Sequence, residues 1–242
     1  MEDSKKESKA KNFIKRYCNN KLAVIGFFTL VLITLIVIIA PPFLPFSEAE
    51  IDPLAFNMPP SAKHLLGGDD VGRDVLSRLL YGGRVSLAVG IFSTAVSVIV
   101  GIPLGMLAAF YRGAFEVVVM RLSDIFMSFP STILILFLVS MFGPSIVTVT
   151  VVIGVLGWPK FARQIYGSVL SIREKDYIEG AVAIGAKDKL IITRYILPNA
   201  VAPIFISITF RIASAIILES SLSFLGMGVQ PPAASWGNML YN

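Results

Sequence analysis

The most restrictive feature of this sequence is an uncharged apolar run at Leu22–Ala40, LAVIGFFTLVLITLIVIIA. As a helix rising ~1.5 Å per residue, it nearly matches the ~30 Å hydrocarbon thickness of a bilayer. A cleaved signal peptide is the alternative, because basic residues precede the run. However, the run exceeds the roughly 7–15 apolar residues of a signal peptide, and prolines follow Ala40 in place of a small-residue cleavage site. We therefore predict a retained transmembrane helix.

Four further apolar stretches predict an all-α, polytopic transmembrane bundle with five spans. The chain is 55% hydrophobic and only 15% charged, whereas soluble domains carry about 25% charged residues. Pro130 predicts a kink, Asn199 an N-cap and Pro203 a first-turn position. The spacing of Gly101 and Gly105 permits close helix approach. The predicted spans are Val85–Phe110, Val117–Phe142, Pro144–Ala162 and Ala200–Leu218.

Basic residues in the loops predict the orientation of the spans. Lys and Arg are concentrated in residues 1–21 and again in the loop after the fourth span, whereas acidic residues outnumber basic ones in 41–84. Cytoplasmic loops carry the excess of Lys and Arg, so the N-terminus and the later loop are expected inside. The predicted organisation is a cytoplasmic basic tail (1–21), a first transmembrane helix (22–40), an external loop (41–84) and a membrane core (85–242) with a cytoplasmic loop at about 163–198.

Several function classes are disfavoured by residue usage. The chain has a net charge of +5. Its basic residues lie between apolar spans, as is typical of charges that set membrane orientation, and this distribution argues against a nucleic-acid-binding surface. Cys18 and His64 are each the sole residue of their type, so we predict no metal site. Residues 67–74, GGDDVGRD, have the glycine spacing of a P-loop but lack its Lys-Ser/Thr ending. We therefore predict neither ATP binding nor catalytic residues, and the chain is not expected to be an enzyme.

Residues 179–198, EGAVAIGAKDKLIITRYILP, interrupt the spans with an amphipathic segment. As a helix, Tyr177, Ala181, Ile184 and Ala183 fall on one side. Glu179 suits the positive end of the helix dipole, and Gly185 can end the helix or permit close backbone approach. Two interpretations remain open from the residues alone: an interfacial helix lying on the membrane, or a helix displayed to a cytoplasmic partner.

Ionisable residues within the spans are candidates for a translocation pathway, because burying them in lipid is costly. Arg211 lies near the middle of the fifth span, where it could attract a peptide carboxylate, pair with an acid on a neighbouring subunit, or form a structural pair between helices. Glu219, near the external end, could line an entrance or reach water. Arg121 and Asp124 are expected to form a local pair.

The chain resembles the permease subunits of ABC importers. Glu179, Gly180 and Ala181, then Gly185, then Leu197 and Pro198 match the family's EAA loop, except that Gly180 replaces the usual Ala and Tyr195 stands where Ile is usual. The stretches DVGRDVLSR (70–78), YGGRVSL (81–87) and SLSFLG (221–226), followed by QPP (230–232) and SWG (235–237), resemble the peptide/nickel subfamily, specifically the C-type subunit of dipeptide and oligopeptide importers.

The resemblance implies a type I ABC-importer permease (MetI-like) fold, with five spans present and a sixth expected after the SWG motif. It implies a bacterial or archaeal plasma-membrane location and residues 85–242 as the permease core. The expected partners are a second permease subunit, two cytoplasmic ATPase subunits that bind ATP and Mg, and an external substrate-binding protein. The EAA residues would form a coupling helix that docks on the ATPase. Nickel or another solute, an ion-driven secondary transporter and a membrane scaffold are the alternatives.

Overall fold

The computed structural model describes residues 18–241, so most of the predicted basic tail lies outside the described residues. Within residues 18–241, four helices are long and apolar enough to cross a membrane, and the count rises to five if a pair of helices joined at a sharp bend is taken as one span. The predicted all-helical membrane bundle is confirmed. The helices are α1 (Lys21–Ile39), α2 (Val75–Tyr111), α3 (Gly113–Ser128), α4 (Ser131–Phe142), α5 (Ile146–Arg173), α6 (Asp176–Ala183), α7 (Asp188–Leu190), α8 (Leu197–Ala200), α9 (Ala202–Phe224) and α10 (Trp236–Met239), with a π-helical turn at Ile191–Ile196.

The centre of the bundle is the packing of α2 against α5. A Cβ atom at Gly101 would lie 2.5 Å from the carbonyl oxygen of Trp158, and one at Gly105 would overlap the carbonyl oxygen of Ala162. Gly154 on α5 similarly faces Val96, where a Cβ would lie 2.8 Å from the valine Cβ. The close approach predicted from the glycine spacing is therefore confirmed, because these backbones meet where only hydrogen atoms fit.

Three membrane helices extend beyond the predicted spans. Helix α2 begins at Val75 rather than Val85, because the Asp74 carboxylate accepts the Ser77 N–H at 2.7 Å and caps the helix. Helix α5 continues to Arg173, and α9 continues to Phe224. Apolar windows detect only the lipid-facing part of such helices.

The third predicted span is broken at Phe129 and Pro130. Helices α3 and α4 meet there at 89°, because proline cannot donate the next helical hydrogen bond. The kink predicted at Pro130 is thus a full break. Asn199 is not an N-cap: its amide donates to the Tyr195 carbonyl at 2.7 Å, and Val201 caps α9 without a side-chain bond. Pro203 lies in the first turn of α9, as predicted.

Helix α1 lies at the periphery, and most of its side chains are exposed. Arg84 of α2 donates from Nε to the Val37 carbonyl at 3.1 Å and from Nη2 to the Ile38 carbonyl. The isopropyl group of Val37 also fits over Gly83. One arginine of the YGGRVSL stretch therefore satisfies carbonyls at the end of α1, which have no partner within that helix.

Candidate functional site

Helix α6 is a short, well-terminated helix inside the EAA-like segment. Asp176 and Glu179 lie in its first turn, where carboxylates stabilise the positive end of the helix dipole. The helix ends in a Schellman motif: the Gly185 N–H donates to the Val182 carbonyl at 2.9 Å, and the Ala186 N–H to the Ala181 carbonyl at 3.0 Å. The Gly185 φ of +77° lies in the left-handed region, which favours glycine. Gly185 therefore ends the helix, one of the roles predicted for it.

One face of α6 is buried and the opposite face is open. Ile178 and Ala181 are buried, and Ile178 joins a cluster with residues of α5 and α9. Tyr177 and Val182 are exposed, and Ile184 is 86% exposed. Of the four residues predicted to share one side of the helix, only Ala181 is buried, whereas Tyr177, Ala183 and Ile184 are exposed, so that prediction does not identify the packed face.

The exposed face of α6 carries the carboxylate of Glu179, which forms no ion pair with the described residues. Glu179 and Gly180 are exposed, and no ion pair involving Glu179 is present within residues 18–241. A Cβ at Gly180 would meet no atom within 4 Å. Within this chain, the face formed by Glu179, Gly180, Val182 and Ile184 thus has space and charge available for another molecule.

Helix α6 is fixed to membrane helices at both ends. Only Glu174 and Lys175 separate it from α5, and the Lys175 N–H donates to the Ile172 carbonyl at 3.1 Å. On the other side, Ile191 and Ile196 of the π-helical turn are buried in the cluster that holds Ile178. Leu197 and Pro198 form the first turn of α8, with Leu197 half-buried and Pro198 exposed. Helix α6 is therefore linked directly to α5 and, through the π-helical turn and α8, to α9.

Glu219 lies at the other end of α9 and is fully buried. The Ser86 hydroxyl donates to its Oε2 at 2.8 Å and the Ser223 hydroxyl to its Oε1 at 2.7 Å. The expectation that Glu219 reaches water is wrong within this chain, because α2 and the segment after α9 cover it. Its role in a pathway remains a prediction.

The same two hydroxyls hold the segment that follows α9. Ser86 Oγ accepts the Trp236 N–H at 3.3 Å, and Ser223 Oγ accepts the Val229 N–H at 2.9 Å. Trp236 Nε1 also donates to the Leu79 carbonyl at 3.1 Å. The stretches YGGRVSL, SLSFLG and SWG therefore meet in one place. Sequence reasoning used them only to assign a family and missed the roles of Ser86 and Ser223.

The loop that resembles a P-loop is closed by its own side chains. Asp69 accepts the backbone N–H groups of Val71 and Arg73 and pairs with the Arg73 guanidinium at 2.7 Å. Burial raises the pKa of Asp69, but the two N–H donors and Arg73 outweigh it and hold the pKa below its ordinary value. These N–H groups are consequently occupied by a carboxylate of the chain itself.

Asp124 and Arg211, two other charged residues of the predicted spans, make different kinds of contact. Asp124 lies 4.0 Å from Arg121, as expected, but it also pairs with Arg163 of α5, which ties α3 to α5. Arg211 reaches across to α5, where its Nη2 donates to the Ile153 carbonyl at 2.8 Å. Arg211 makes no ion pair with any described residue.

Comparisons with known proteins agree with this architecture. The family described as "binding-protein-dependent transport system inner membrane component" matches residues 101–241, and the "N-terminal TM domain of oligopeptide transport permease C" matches residues 8–60. A dipeptide transport system permease protein of Alkalihalophilus pseudofirmus is 38% identical over 93% of this chain and 74% of its own length. A glutathione transport system permease protein of Pectobacterium atrosepticum is 40% identical over 95% of this chain and 77% of its own length.

A solved structure supports the fold independently. An inward-facing structure of the MetNI methionine ABC transporter matches with a TM-score of 0.57 and 22% identity, covering 68% of this chain and 79% of that one. At this identity the likeness shows the fold alone, and it confirms the predicted MetI-like arrangement. Together with the family match over residues 101–241, these findings establish that the chain belongs to the family of binding-protein-dependent inner-membrane components, the permease subunits of ABC importers.

Proposed function

We propose that this chain is the permease subunit of an ATP-driven peptide importer and that α6 is its coupling helix. The observation that carries the proposal is the exposed face of α6, with unpaired Glu179, on a helix only two residues from α5. A push on this face would move α5 and α9 together, which is the bistable coupling that a nucleotide-driven cycle requires. The matching EAA pattern at Glu179–Ala181, Gly185, Leu197 and Pro198 supports the same role.

The partners follow from the family. A second permease subunit would complete the pathway, two cytoplasmic ATPase subunits would bind ATP and Mg and receive α6, and an external binding protein would deliver the substrate. We place the complex in the plasma membrane of a bacterium or archaeon, with the N-terminus and α6 on the cytoplasmic side, on the basis of the Lys and Arg distribution. ATP hydrolysis is assigned to the partner and not to this chain.

Peptides are the proposed substrate class. Proteins named for dipeptide, glutathione and oligopeptide transport are 33–40% identical to this chain over more than nine-tenths of its length. Nickel or another solute is the alternative within the same family. An ion-driven secondary transporter is the alternative outside it, and it would need no ATPase bound to α6.

The coupling role is tested with Glu179→Lys in the complete transporter. The dipole contribution of Glu179 is only ~0.3–1 kcal/mol, so the variant should insert in the membrane at the normal level. Because the charge facing the ATPase is reversed, co-purification of the ATPase or ATP-dependent peptide uptake should fall. Glu174→Lys, an exposed acid in the link before α6, is the matched control. Normal uptake by Glu179→Lys would argue against coupling, and uptake driven by an ion gradient without ATP would favour a secondary transporter.

A further inference from the structure

A polar groove of about 300 Å³ lies between α5 and α9, reaching from the middle of the fifth predicted span to the cytoplasmic end of the fourth. Its position is unusual, because polar side chains facing lipid are costly and normally face a partner or water. The volume is at the lower end of the range for small-molecule sites, about 300–1,000 Å³. The lining residues are Lys160, Phe161, Gln164, Ser207, Phe210, Arg211 and Ser214.

The Arg211 side chain is held in place by α5. Its Nη2 donates to the Ile153 carbonyl at 2.8 Å, and the guanidinium rests on Gly157, where a Cβ would lie 2.5 Å from Nη2. The Nε of Arg211 is buried without a hydrogen-bond partner. A guanidinium carries five N–H donors in a fixed fork that matches a carboxylate. Arg211 is therefore oriented by one bond and keeps donors for a ligand.

The charge of the groove selects an anion. Lys160 is a second cation, no acidic residue is among the lining residues, and neither cation is ion-paired within the part of the chain that the structure describes. The Ser214 hydroxyl donates to the Phe210 carbonyl at 2.8 Å, so its oxygen can still accept a bond. Two phenylalanine rings supply an apolar wall. A ligand with one carboxylate, a backbone-like N–H and an apolar side chain fits these groups.

We propose that this groove binds the C-terminal carboxylate of the peptide during its passage, with Arg211 as the principal contact and Lys160 as a second positive charge. The inference rests on the proposed peptide transport. An acidic side chain of the second permease subunit is the other group that could pair with Arg211, and the experiment below distinguishes the two.

The test is thiol protection in the complete transporter in nanodiscs, without the binding protein, so that selection by that protein cannot contribute. Ser207→Cys is introduced with Cys18→Ser, and labelling is read on this subunit by mass spectrometry. A dipeptide with a free carboxylate should slow labelling, and its C-terminal amide should need an at least about tenfold higher concentration, since a charge-assisted bond is lost. Ser221→Cys, exposed on α9 outside the groove, should be labelled without protection by either peptide.

Arg211 variants assign the effect to this side chain. Arg211→Gln should make the acid and the amide equivalent, and Arg211→Lys should retain part of the difference. Equal protection by the acid and the amide in the Ser207→Cys parent would overturn the inference. If the second permease subunit no longer co-purifies with the Arg211→Gln variant, and the Ser207→Cys parent shows no difference between acid and amide, then Arg211 pairs with an acidic residue of that subunit instead.

The failure of this inference can be separated from failure of the proposed function. ATP-dependent uptake of the same dipeptide is measured with the unsubstituted transporter reconstituted with its binding protein. If that transporter imports the dipeptide but the groove does not distinguish acid from amide, only the groove inference fails. If no peptide is imported, the proposed substrate class fails.

Discussion

The Ser86 hydroxyl donates to Glu219 Oε2 at 2.8 Å, joining α2 to the end of α9 across 133 residues of sequence. Ser223 completes the arrangement by donating to Oε1 at 2.7 Å. Because each hydroxyl also accepts a backbone N–H from the segment after α9, the carboxylate fixes the direction of both hydroxyls. Glu219 is thus a positioning residue for residues 225–241.

We expect Glu219→Ala to loosen that segment and to destabilise the protein. Each buried hydroxyl left without its acceptor costs roughly 1–3 kcal/mol. Glu219→Gln, which keeps one acceptor oxygen, should be milder. Hydrogen exchange of residues 225–241 and thermal unfolding measure the effect. Ser221→Ala, at an exposed hydroxyl that donates only to the Ile217 carbonyl, is the control. Unchanged exchange and unfolding together with reduced uptake would instead give Glu219 a role in the pathway.

Labelling from outside the cell tests the proposed orientation. Leu54, which is 87% exposed, is the suitable external position, whereas its neighbour Ala55 is 0% exposed and would not react. In a Cys18→Ser background, an impermeant thiol reagent should label Leu54→Cys in intact cells. It should label Lys187→Cys only after the membrane is opened. External labelling of Lys187→Cys would overturn the orientation and the coupling role together.

Substitutions of Gly185 should act through the backbone rather than through crowding. A Cβ there meets no atom within 4 Å, but the φ of +77° is left-handed, which costs an ordinary L-residue roughly 1–2 kcal/mol. Peptide uptake should therefore fall in the order Gly185→Asn, Gly185→Ala, Gly185→Val, because asparagine tolerates this conformation best and a β-branched residue tolerates it least.

Gly180→Ala is the matched control for the Gly185 series. Gly180 is helical, a Cβ there also meets nothing, and alanine favours a helix by ~1 kcal/mol. Uptake by this variant should equal or exceed that of the unsubstituted protein. Equal uptake by Gly185→Val would show that the end of α6 does not need the Schellman motif.

The loop at 67–74 should become less stable in acid. Burial raises the pKa of Asp69, but its N–H donors and Arg73 lower it further, so the folded pKa lies below the ordinary 3.8. A depressed folded pKa contributes stability that is present above the unfolded pKa and is lost as the pH falls through the folded pKa. The protection of this loop against hydrogen exchange, corrected for the intrinsic pH dependence of amide exchange, should therefore fall below about pH 4. Asp69→Asn should weaken this dependence, whereas Asp70→Asn, at a half-exposed carboxylate, should preserve it.

The sequence predicted the lipid-facing features of the fold well. Uncharged runs identify the spans because lipid excludes charge, and Gly101, Gly105 and Gly185 signal close packing and a helix end through the absence of a side chain. The extension of α2 to Val75 could not be predicted from hydropathy, because it depends on capping by Asp74 and on polar packing. The burial of Glu219 depends on α2 and on the segment after α9, which are distant in sequence.

The most direct test of the coupling role is a photo-cross-linking residue at Ile184, the most exposed apolar position at the end of α6. The same probe at Leu54, on the opposite side of the membrane, is the control. In the assembled, transporting complex, the probe at Ile184 is predicted to cross-link to the ATPase subunit, and the probe at Leu54 is not. Cross-linking of Ile184 to lipid alone, in a complex that still imports its substrate, would contradict the coupling role of α6.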